Sequence, residues 1–202
     1  MIIKFKDGTE KELLMLTHAD LRGAGFQGAD LRGADFQGAD LRGADFQGAN
    51  LRDANFEYAD LRGADFQSAN LQGADFGYAD LRSANFGYAD LRGADFEHAD
   101  LQHVDFQGAN LRGANLRYAD LQRANLRNTD LQHADIRGAN LDFSCLSLCC
   151  RSFDIKVDIE FAKQILYHVS KLDFEDNEGI KDAIRVFSNS ASVIKRHGLS
   201  KV

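Results

Sequence analysis

Three cysteines are the side chains of this 202-residue sequence best suited to metal binding or redox chemistry. They lie close together, at Cys145, Cys149 and Cys150. Zinc and redox sites typically use two cysteines separated by two residues, and a structural zinc needs a second pair of ligands. Neither pattern is present, and a reactive thiol also needs a cation or a helix terminus beside it. We therefore interpret the cysteines as buried packing residues, with zinc binding and a redox pair as the alternatives.

Histidine and glycine do not form a catalytic or binding pattern either. No histidine has another four residues away, the spacing that places two imidazoles on one helix face; the four in the first two-thirds of the chain are His18, His98, His103 and His133. Glycines recur at regular intervals, but none is followed by the Gly-Lys-Ser/Thr of a phosphate-binding loop. We expect no enzyme activity, no cofactor and no metal, so the function must reside on the surface.

A five-residue period organises the chain from Thr17 to about Leu148. Each unit reads Ala-(Asp/Asn)-(Leu/Phe)-x-x, with its apolar centre at Leu16, Leu21, Phe26 and onward in unbroken register. A helix keeps one face apolar with a period of 3.6 and a strand with a period of two. A coil that turns a corner in every unit satisfies a period of five. The glycines fall two residues after the centre, where a tight turn requires positive φ.

The centres alternate between Leu and Phe from Leu21 to Phe106. The sequence resembles the pentapeptide-repeat family, whose A(D/N)Lxx unit is matched by Ala29-Asp30-Leu31-Arg32-Gly33. The resemblance implies an all-β solenoid, a right-handed quadrilateral β-helix with four units per coil and about 6–7 coils. Residues twenty apart would then stack directly. Phe columns would line two opposite sides, and Leu columns the other two.

The period suggests three parts. Residues 1–15 are predicted to form an N-terminal β cap, a hairpin with a turn at Asp7-Gly8. Residues 16–150 are the β-helix. Residues 151–202 show helical spacing, with an N-cap at Asp158, and form a C-terminal α-helical cap or dimerisation segment. This segment resembles one found in some bacterial members of unsettled function. We therefore expect a bacterial protein that is either a monomer or a homodimer joined through its C-terminus.

The net charge of −7 comes from the repeat, where residues 16–150 carry 12 basic and 20 acidic side chains. This balance disfavours direct nucleic-acid binding and favours a protein partner, including one that normally binds nucleic acid. No apolar run approaches the length of a membrane span or a signal-peptide core. The clustered, odd set of cysteines suits a reducing compartment. We expect a soluble cytoplasmic protein without membrane contact.

One acidic column would follow from the twenty-residue stacking. This aspartate column comprises Asp20, Asp40, Asp60, Asp80, Asp100 and Asp120. Neighbouring carboxylates in it would repel each other by roughly 1 kcal/mol per pair in a water-like dielectric. Two residues further on, a column of arginines would compensate them; these are Arg22, Arg42, Arg62 and Arg82. Mutual neutralisation is the favoured interpretation, and imitation of the charge of DNA is the alternative.

A second column is aromatic. Four aromatic residues would stack along one corner, and we call them the aromatic column: Tyr58, Tyr78, His98 and Tyr118. Glu57, Glu97, Asp75 and Asp95 would lie beside it, without an arginine before Arg117. Exposed aromatic side chains next to uncompensated acid are suited to protein binding. The alternative is that the stacked rings only stabilise the contact between coils.

Two functions fit these features. The first is a non-enzymatic interaction module that presents a rigid, patterned surface to an unknown protein partner. The second comes from the resemblance, since some pentapeptide-repeat proteins imitate DNA, bind DNA gyrase or topoisomerase IV and protect the enzyme from quinolones. The acidity of the repeat fits the second function. The arginine columns, and the absence of projecting loops from the unbroken repeat, favour the first.

Overall fold

The computed structural model describes residues 2–4, 10–12, 17–141 and 145–146. Strand β1 (Ile2–Lys4) pairs antiparallel with β2 (Glu10–Glu12). Strand β3 (Asn125–Leu126) pairs in parallel with β4 (Cys145–Leu146). The first pair agrees with the predicted N-terminal strands. The turn between them, the helices predicted in residues 151–202, and Cys149 and Cys150 lie outside the described residues.

Single parallel β-bridges between residues twenty apart run through the repeat, from Asp20 with Asp40 to Asp120 with Asn140. Each coil therefore contains four pentapeptide units, which confirms the four-sided geometry. We number the sides by their first centres: side 1 begins at Leu21, side 2 at Phe26, side 3 at Leu31 and side 4 at Phe36. Each side continues at twenty-residue intervals.

Backbone hydrogen bonding explains the repeating unit. Two N–H groups of each unit donate to the following coil, one donates to the preceding coil and one closes the corner turn; around Leu41 these bonds are 2.8–3.0 Å long. The fifth N–H, just after the centre, donates to Oδ1 of the Asp or Asn just before it. Gln37 donates to Asp35 in this way at 3.1 Å. This N–H makes no backbone hydrogen bond in the described coil, so an Asp or Asn side chain satisfies it in every described unit except those of Gly25 and Asn50.

Each corner has a residue with positive φ two positions after the centre, as in a type II turn. Glycines occupy many of these corners, for example Gly43 with φ of 65°. Larger side chains occupy others, including Tyr58 at 59° and Tyr78 at 56°. This left-handed conformation costs an L-residue roughly 1–2 kcal/mol, so side chains at these corners carry a backbone strain that glycine avoids.

The core consists of the centres and the alanines, which are buried from Phe26 to Leu141. The Phe residues of sides 2 and 4 form two columns in which successive rings stack 4.7–5.2 Å apart. The two columns meet edge to face with centroids 5.6–6.0 Å apart. The predicted Phe columns are thereby confirmed, and both favourable aromatic geometries recur in every coil that carries them.

Candidate functional site

The aromatic column forms at the corner that follows side 4. The rings of Tyr58 and Tyr78 stack 5.2 Å apart, Tyr78 and His98 stack at 4.9 Å, and His98 and Tyr118 stack at 5.0 Å. The ring planes are within 16° of parallel. All three tyrosines are more than half exposed. The predicted stacking is confirmed, and its role in binding stays a prediction.

Every member of the aromatic column has a strained backbone. Tyr58, Tyr78, His98 and Tyr118 have φ between 56° and 60°. Gly38 and Gly138 occupy the same corner in coils on either side of the column, also at positive φ. Glycine therefore suits this position, and the four aromatic residues are retained against a conformational cost. The same positive φ occurs at the other corners of the coil, Ser68 and His133 among them, so this strain belongs to the fold and does not by itself mark a site.

Side 4 beside the column is acidic. Its carboxylates before Arg117, which we call the acidic side, are Asp35, Glu57, Asp75, Asp95 and Glu97. Most of their described partners are neutral groups that donate hydrogen bonds: Gln37 Nε2 to Glu57 at 2.9 Å, the Gly77 N–H to Asp75 at 2.8 Å, and Asn115 Nδ2 to Asp95 at 3.1 Å. Within the described coil, the one ion pair of these five residues joins Glu97 to Arg117, at 3.7 Å. The negative charge of this side is largely uncompensated.

A glycine interrupts the outward side chains of the acidic side. Gly77 occupies the position that Glu57 and Glu97 hold in the adjacent coils, and its φ is not positive. A Cβ on Gly77 would lie 3.2 Å from Oδ1 of Asp75 and 3.7 Å from Cγ of Glu57. Gly77 is itself buried, so the neighbouring groups cover the place of the missing side chain. Gly87 creates the same feature on side 2.

The acidic side ends at Arg117, toward the later coils. Its guanidinium carbon lies 5.2 Å from the ring centroid of Tyr118, within the range of a cation–π contact. Hydrogen bonding to Tyr118 and the charge of Glu97 raise the pKa of Arg117. Its Nε is buried without a hydrogen-bond partner. The uncompensated acid therefore ends at the coil of Arg117.

The aspartate column on side 1 is largely neutralised. Four arginines each donate hydrogen bonds from Nε and Nη2 to the aspartate two residues earlier, at 2.6–2.8 Å. They are Arg22, Arg42, Arg62 and Arg82. The same Nε atoms lie 3.5–3.7 Å from the aspartate of the next coil. The predicted compensation is confirmed for Asp20, Asp40, Asp60 and Asp80. Glutamine replaces arginine beside Asp100 and Asp120, so the column is least compensated there.

These contacts shift the carboxyl pKa values in opposite directions. The hydrogen bond from Arg42 lowers the pKa of Asp40 from 3.8 to about 2. The hydrogen bond from Arg22 likewise lowers the pKa of Asp20. Burial raises the pKa of Asp100, which lacks an arginine two residues later. The charged form is thus favoured at the start of the column and disfavoured near its end.

The pH dependence of stability follows from these shifts. Because the folded pKa of Asp40 is depressed, its contribution is complete above pH 3.8 and is lost as the pH falls toward about 2. Asp100 has the opposite sign and favours the folded state at low pH. We expect Arg42→Gln to flatten the dependence of the unfolding free energy on pH between about 4 and 2. Urea titrations across this range measure the slope.

Arg123→Gln is the control for this prediction. Arg123 lies at a corner of the same side 1 and forms no ion pair with any described residue. The Arg123→Gln substitution should leave the dependence of the unfolding free energy on pH unchanged. Equal slopes for Arg42→Gln and the wild type would contradict the assignment of the shift to the Asp40–Arg42 pair.

The family model described as pentapeptide repeats matches this sequence in eight copies, over residues 16–48, 49–87, 79–117 and 114–150. The chain belongs to the pentapeptide-repeat family. Its coil is accordingly a right-handed quadrilateral β-helix. Proteins of this family are generally structural or interaction modules. No curated protein sequence matches the chain significantly.

Solved pentapeptide-repeat structures are similar to this chain. HetL, involved in heterocyst differentiation regulation in the cyanobacterium Nostoc sp. strain PCC 7120, is 34% identical; the match covers 63% of this chain and 70% of HetL, with a TM-score of 0.39. A protein of the Arabidopsis thaliana thylakoid lumen is 34% identical, with coverages of 68% and 79% and a TM-score of 0.42. QnrB1, a plasmid-mediated fluoroquinolone resistance protein, is 21% identical in one of its structures, with coverages of 69% and 85% and a TM-score of 0.33.

Some features of the pentapeptide-repeat surface were missed by sequence reasoning. Gly77 and Gly87 were not singled out, although they stand one residue before the corner, where a turn glycine is not needed. Tyr88 is 62% exposed on the corner after side 2 and was also passed over. Its ring covers Gly108, since a Cβ there would lie 2.7 Å from two ring atoms. In the part of the chain that the structure describes, there is no helix long and apolar enough to cross a membrane.

Proposed function

We propose that this protein is a non-enzymatic interaction module and that the aromatic column, with the acidic side beside it, binds a protein partner. The observation that carries the proposal is the stacked column of exposed aromatic side chains. Tyrosine supplies large contact area at low conformational cost, and stacking fixes these rings before a partner arrives. Little ordering entropy is then lost on binding.

Electrostatics support the same surface. Most arginines of sides 1 and 3 form an ion pair with an aspartate of the coil, as Arg42 does with Asp40 and Arg92 with Asp90. Among the described residues the acidic side has one ion pair, near its end. Most of its carboxylates are therefore uncompensated, although Asp65 and Asp105 on side 2 likewise have neutral hydrogen-bond donors. Complementary charge increases association rates and selects among partners.

The test compares two tyrosine variants. Partners are captured from an extract on the full-length protein, and the affinity of a purified partner is then measured by calorimetry. Because truncating an aromatic hot spot costs about 2 kcal/mol or more, we expect Tyr58→Ala/Tyr78→Ala to weaken binding by about 100-fold or more. Tyr88→Ala removes a similarly exposed ring from another corner and should change binding little.

A column that only holds coils together predicts a different result. In that case the double variant would lower the unfolding free energy and leave the affinity for the partner unchanged. Measuring denaturation and binding on the same samples separates the two roles. Equal losses of affinity in the double variant and in Tyr88→Ala would contradict the assignment of this surface.

The alternative function is imitation of DNA toward gyrase or topoisomerase IV. The acidic excess of the coil favours it, but five of the six carboxylates in the aspartate column form an ion pair with arginine, that of Asp100 with Arg82 of the preceding coil. A gyrase supercoiling assay, with and without a quinolone, tests it directly. We expect no inhibition and no protection at a large excess of this protein. Either effect would favour the alternative and direct mutagenesis to Asp100 and Asp120.

A further inference from the structure

The corner that carries the aromatic column has one ring missing near its start. His18 occupies this corner one coil before Gly38, and Gly38 precedes Tyr58 by one coil. The imidazole of His18 lies over Gly38, because a Cβ there would be 3.1–3.2 Å from three atoms of the ring. Gly38 has no ring to place over the next coil, so a gap separates His18 from Tyr58. We call this space the ring gap.

The ring gap has room for one planar group. Consecutive rings of the aromatic column are 4.9–5.2 Å apart. His18 and Tyr58 are two coils apart, so their ring centroids are about 10 Å apart at ~4.8 Å per coil. Lying over a glycine does not shorten this interval, since Tyr118 lies over Gly138 and is still 5.0 Å from His98. A planar group at the midpoint would be about 5 Å from both rings, a usual distance between stacked rings.

Solvent exposure indicates that one face of Tyr58 is uncovered. Tyr88 has no stacking partner among the described residues, and 62% of it is exposed. Tyr78 is covered on both faces, by Tyr58 and His98, and is 51% exposed. Among the described rings Tyr58 stacks only on Tyr78, and its exposure lies between these values, at 57%. The face of Tyr58 toward the preceding coil is therefore open to a further planar group.

The charge around the ring gap favours a cation. On side 4, Glu57 is next to Tyr58 in the chain, and Asp35 is exposed one coil earlier. Gln37 Nε2 donates to Glu57 at 2.9 Å. Asn55 Nδ2 donates to Asp35 at 3.1 Å. Both donors are neutral and leave the negative charge in place, whereas the aspartates of side 1 beside the gap are paired with arginines.

A guanidinium fits both the shape and the charge of the ring gap. It is planar and always charged, it stacks on aromatic rings, and its N–H groups pair with carboxylates. A neutral aromatic ring would fill the gap without meeting the charge. A nucleobase would bring phosphates, which the carboxylates repel.

The later coils contain an example of the same contact within the chain. The guanidinium carbon of Arg117 lies 5.2 Å from the ring centroid of Tyr118, and the same guanidinium lies 3.7 Å from Glu97. One arginine therefore contacts both a ring of the aromatic column and a carboxylate of the acidic side. At the start of the column the ring and the carboxylates are present, and side 4 has no arginine before Arg117.

We propose that the ring gap binds an arginine side chain of a partner protein. The guanidinium lies between the imidazole of His18 and the ring of Tyr58, and it donates hydrogen bonds to the carboxylates of side 4. This inference rests on the proposed function and names the group of the partner that the surface recognises. The gap discriminates arginine from lysine, because an ammonium has the same charge but no plane to stack.

Short peptides test the chemistry of the bound group. Three peptides of sequence Gly-Ser-x-Ser-Gly with blocked ends carry arginine, lysine or citrulline at x, and NMR titration of the full-length protein measures their affinities. Citrulline is planar like arginine but neutral. We expect the arginine peptide to bind about fivefold more tightly than either of the others, because only arginine combines a plane with a charge. Equal binding of arginine and lysine, or of arginine and citrulline, would overturn the proposal, as would no detectable binding of arginine.

Two tyrosine substitutions test the location. Gly38→Tyr supplies the missing ring, and the corner accepts it because Tyr58 and Tyr78 have φ of 59° and 56°, against 64° for Gly38. The exposed ring of His18 must move by a few tenths of an ångström. Filling the gap should weaken binding of the arginine peptide about tenfold. Gly48→Tyr is the control at the corner after side 2, with φ of 63° and no atom within 4 Å of its Cβ, and should leave binding unchanged. Equal effects would contradict the location.

His18→Ala tests the same gap without adding a ring. It removes one wall and leaves Gly38 and Tyr58 in place. The preference for the arginine peptide over the lysine peptide should disappear, because one of the two stacking surfaces is lost. An unchanged preference would show that the imidazole takes no part and would overturn the proposal.

The outcomes separate this inference from the proposed function. A partner that loses affinity for Tyr58→Ala/Tyr78→Ala but binds Gly38→Tyr as well as the wild type would overturn the inserted arginine and support the proposed function. A preference for arginine that Gly38→Tyr and His18→Ala both remove would support the ring gap. If partners nevertheless kept their affinity for the double tyrosine variant, the proposed function would fail and the arginine site would stand.

Discussion

Replacing Phe66 by alanine is expected to lower the free energy of unfolding by about 3–5 kcal/mol, the usual cost of truncating a buried Phe. The Phe66 ring stacks on Phe46 at 4.8 Å and on Phe86 at 4.7 Å. It also meets Phe56 and Phe76 edge to face, both at 5.8 Å. The cavity cannot collapse easily, because backbone hydrogen bonds to the coils on both sides hold the walls in place. We therefore expect a cost near the upper end of the range.

Phe66→Leu is the matched control. Leu116 and Leu126 continue the two Phe columns in the later coils, so the architecture accepts leucine at such positions. The smaller cavity should limit the loss to about 1–2 kcal/mol. Urea denaturation followed by circular dichroism measures both variants. Equal losses for alanine and leucine would mean that the ring contacts contribute little and that the coil depends on its hydrogen bonds.

The aromatic column shows what sequence spacing predicts well. Its residues are twenty apart, and parallel bridges at that interval place them in one line. Once the family resemblance had supplied four units per coil, the stacking of Tyr58 on Tyr78 followed from counting. The acid beside the column followed in the same way, because every position in the unit has one place on the coil. Regular backbone geometry therefore makes columns predictable.

Side-chain direction was less predictable. Counting placed Arg42 near Asp40, but it did not show that Nε of Arg42 also approaches Asp60 in the next coil, at 3.5 Å. That contact depends on which way the side chain leans, and spacing does not determine it. Spacing placed Gly77 between Glu57 and Glu97 but predicted no role for it. Only its backbone φ shows that it is not a turn residue.

The Leu and Phe centres stack in register along the coil, and this predicts that a five-residue deletion destabilises the protein more than a twenty-residue deletion does. Deleting residues 61–80 removes one whole coil and joins Asp60 to Leu81, so every remaining residue keeps its side and its stacking partner type. Deleting residues 66–70 removes a single unit and rotates all later residues by one side. Each Phe of the next coil then lies on a Leu, and each Leu on a Phe. The smaller deletion changes the core more than the larger one.

The deletion of residues 66–70 is therefore expected to destabilise the protein more than the deletion of residues 61–80. Loss of a matched coil should cost about 1–3 kcal/mol, from the usual stability per residue of folded domains and the near-additive energetics of repeats. A shifted register exchanges large and small side chains at several buried centres, and misfits of this kind typically cost ~1–3 kcal/mol each. It also removes the Phe stacks at the junction, worth about 0.5–1.5 kcal/mol each.

Thermal and urea denaturation of the two deletion variants measure this difference. The matched deletion should retain the circular dichroism spectrum per residue and a single cooperative transition at a slightly lower midpoint. The shifted deletion should unfold at a much lower midpoint, or in two steps as the coils before and after the junction separate. If the shifted variant proves the more stable of the two, the alternation of Leu and Phe columns contributes little to the cohesion of the coil, and hydrogen bonding and alanine packing, which both variants keep, provide it.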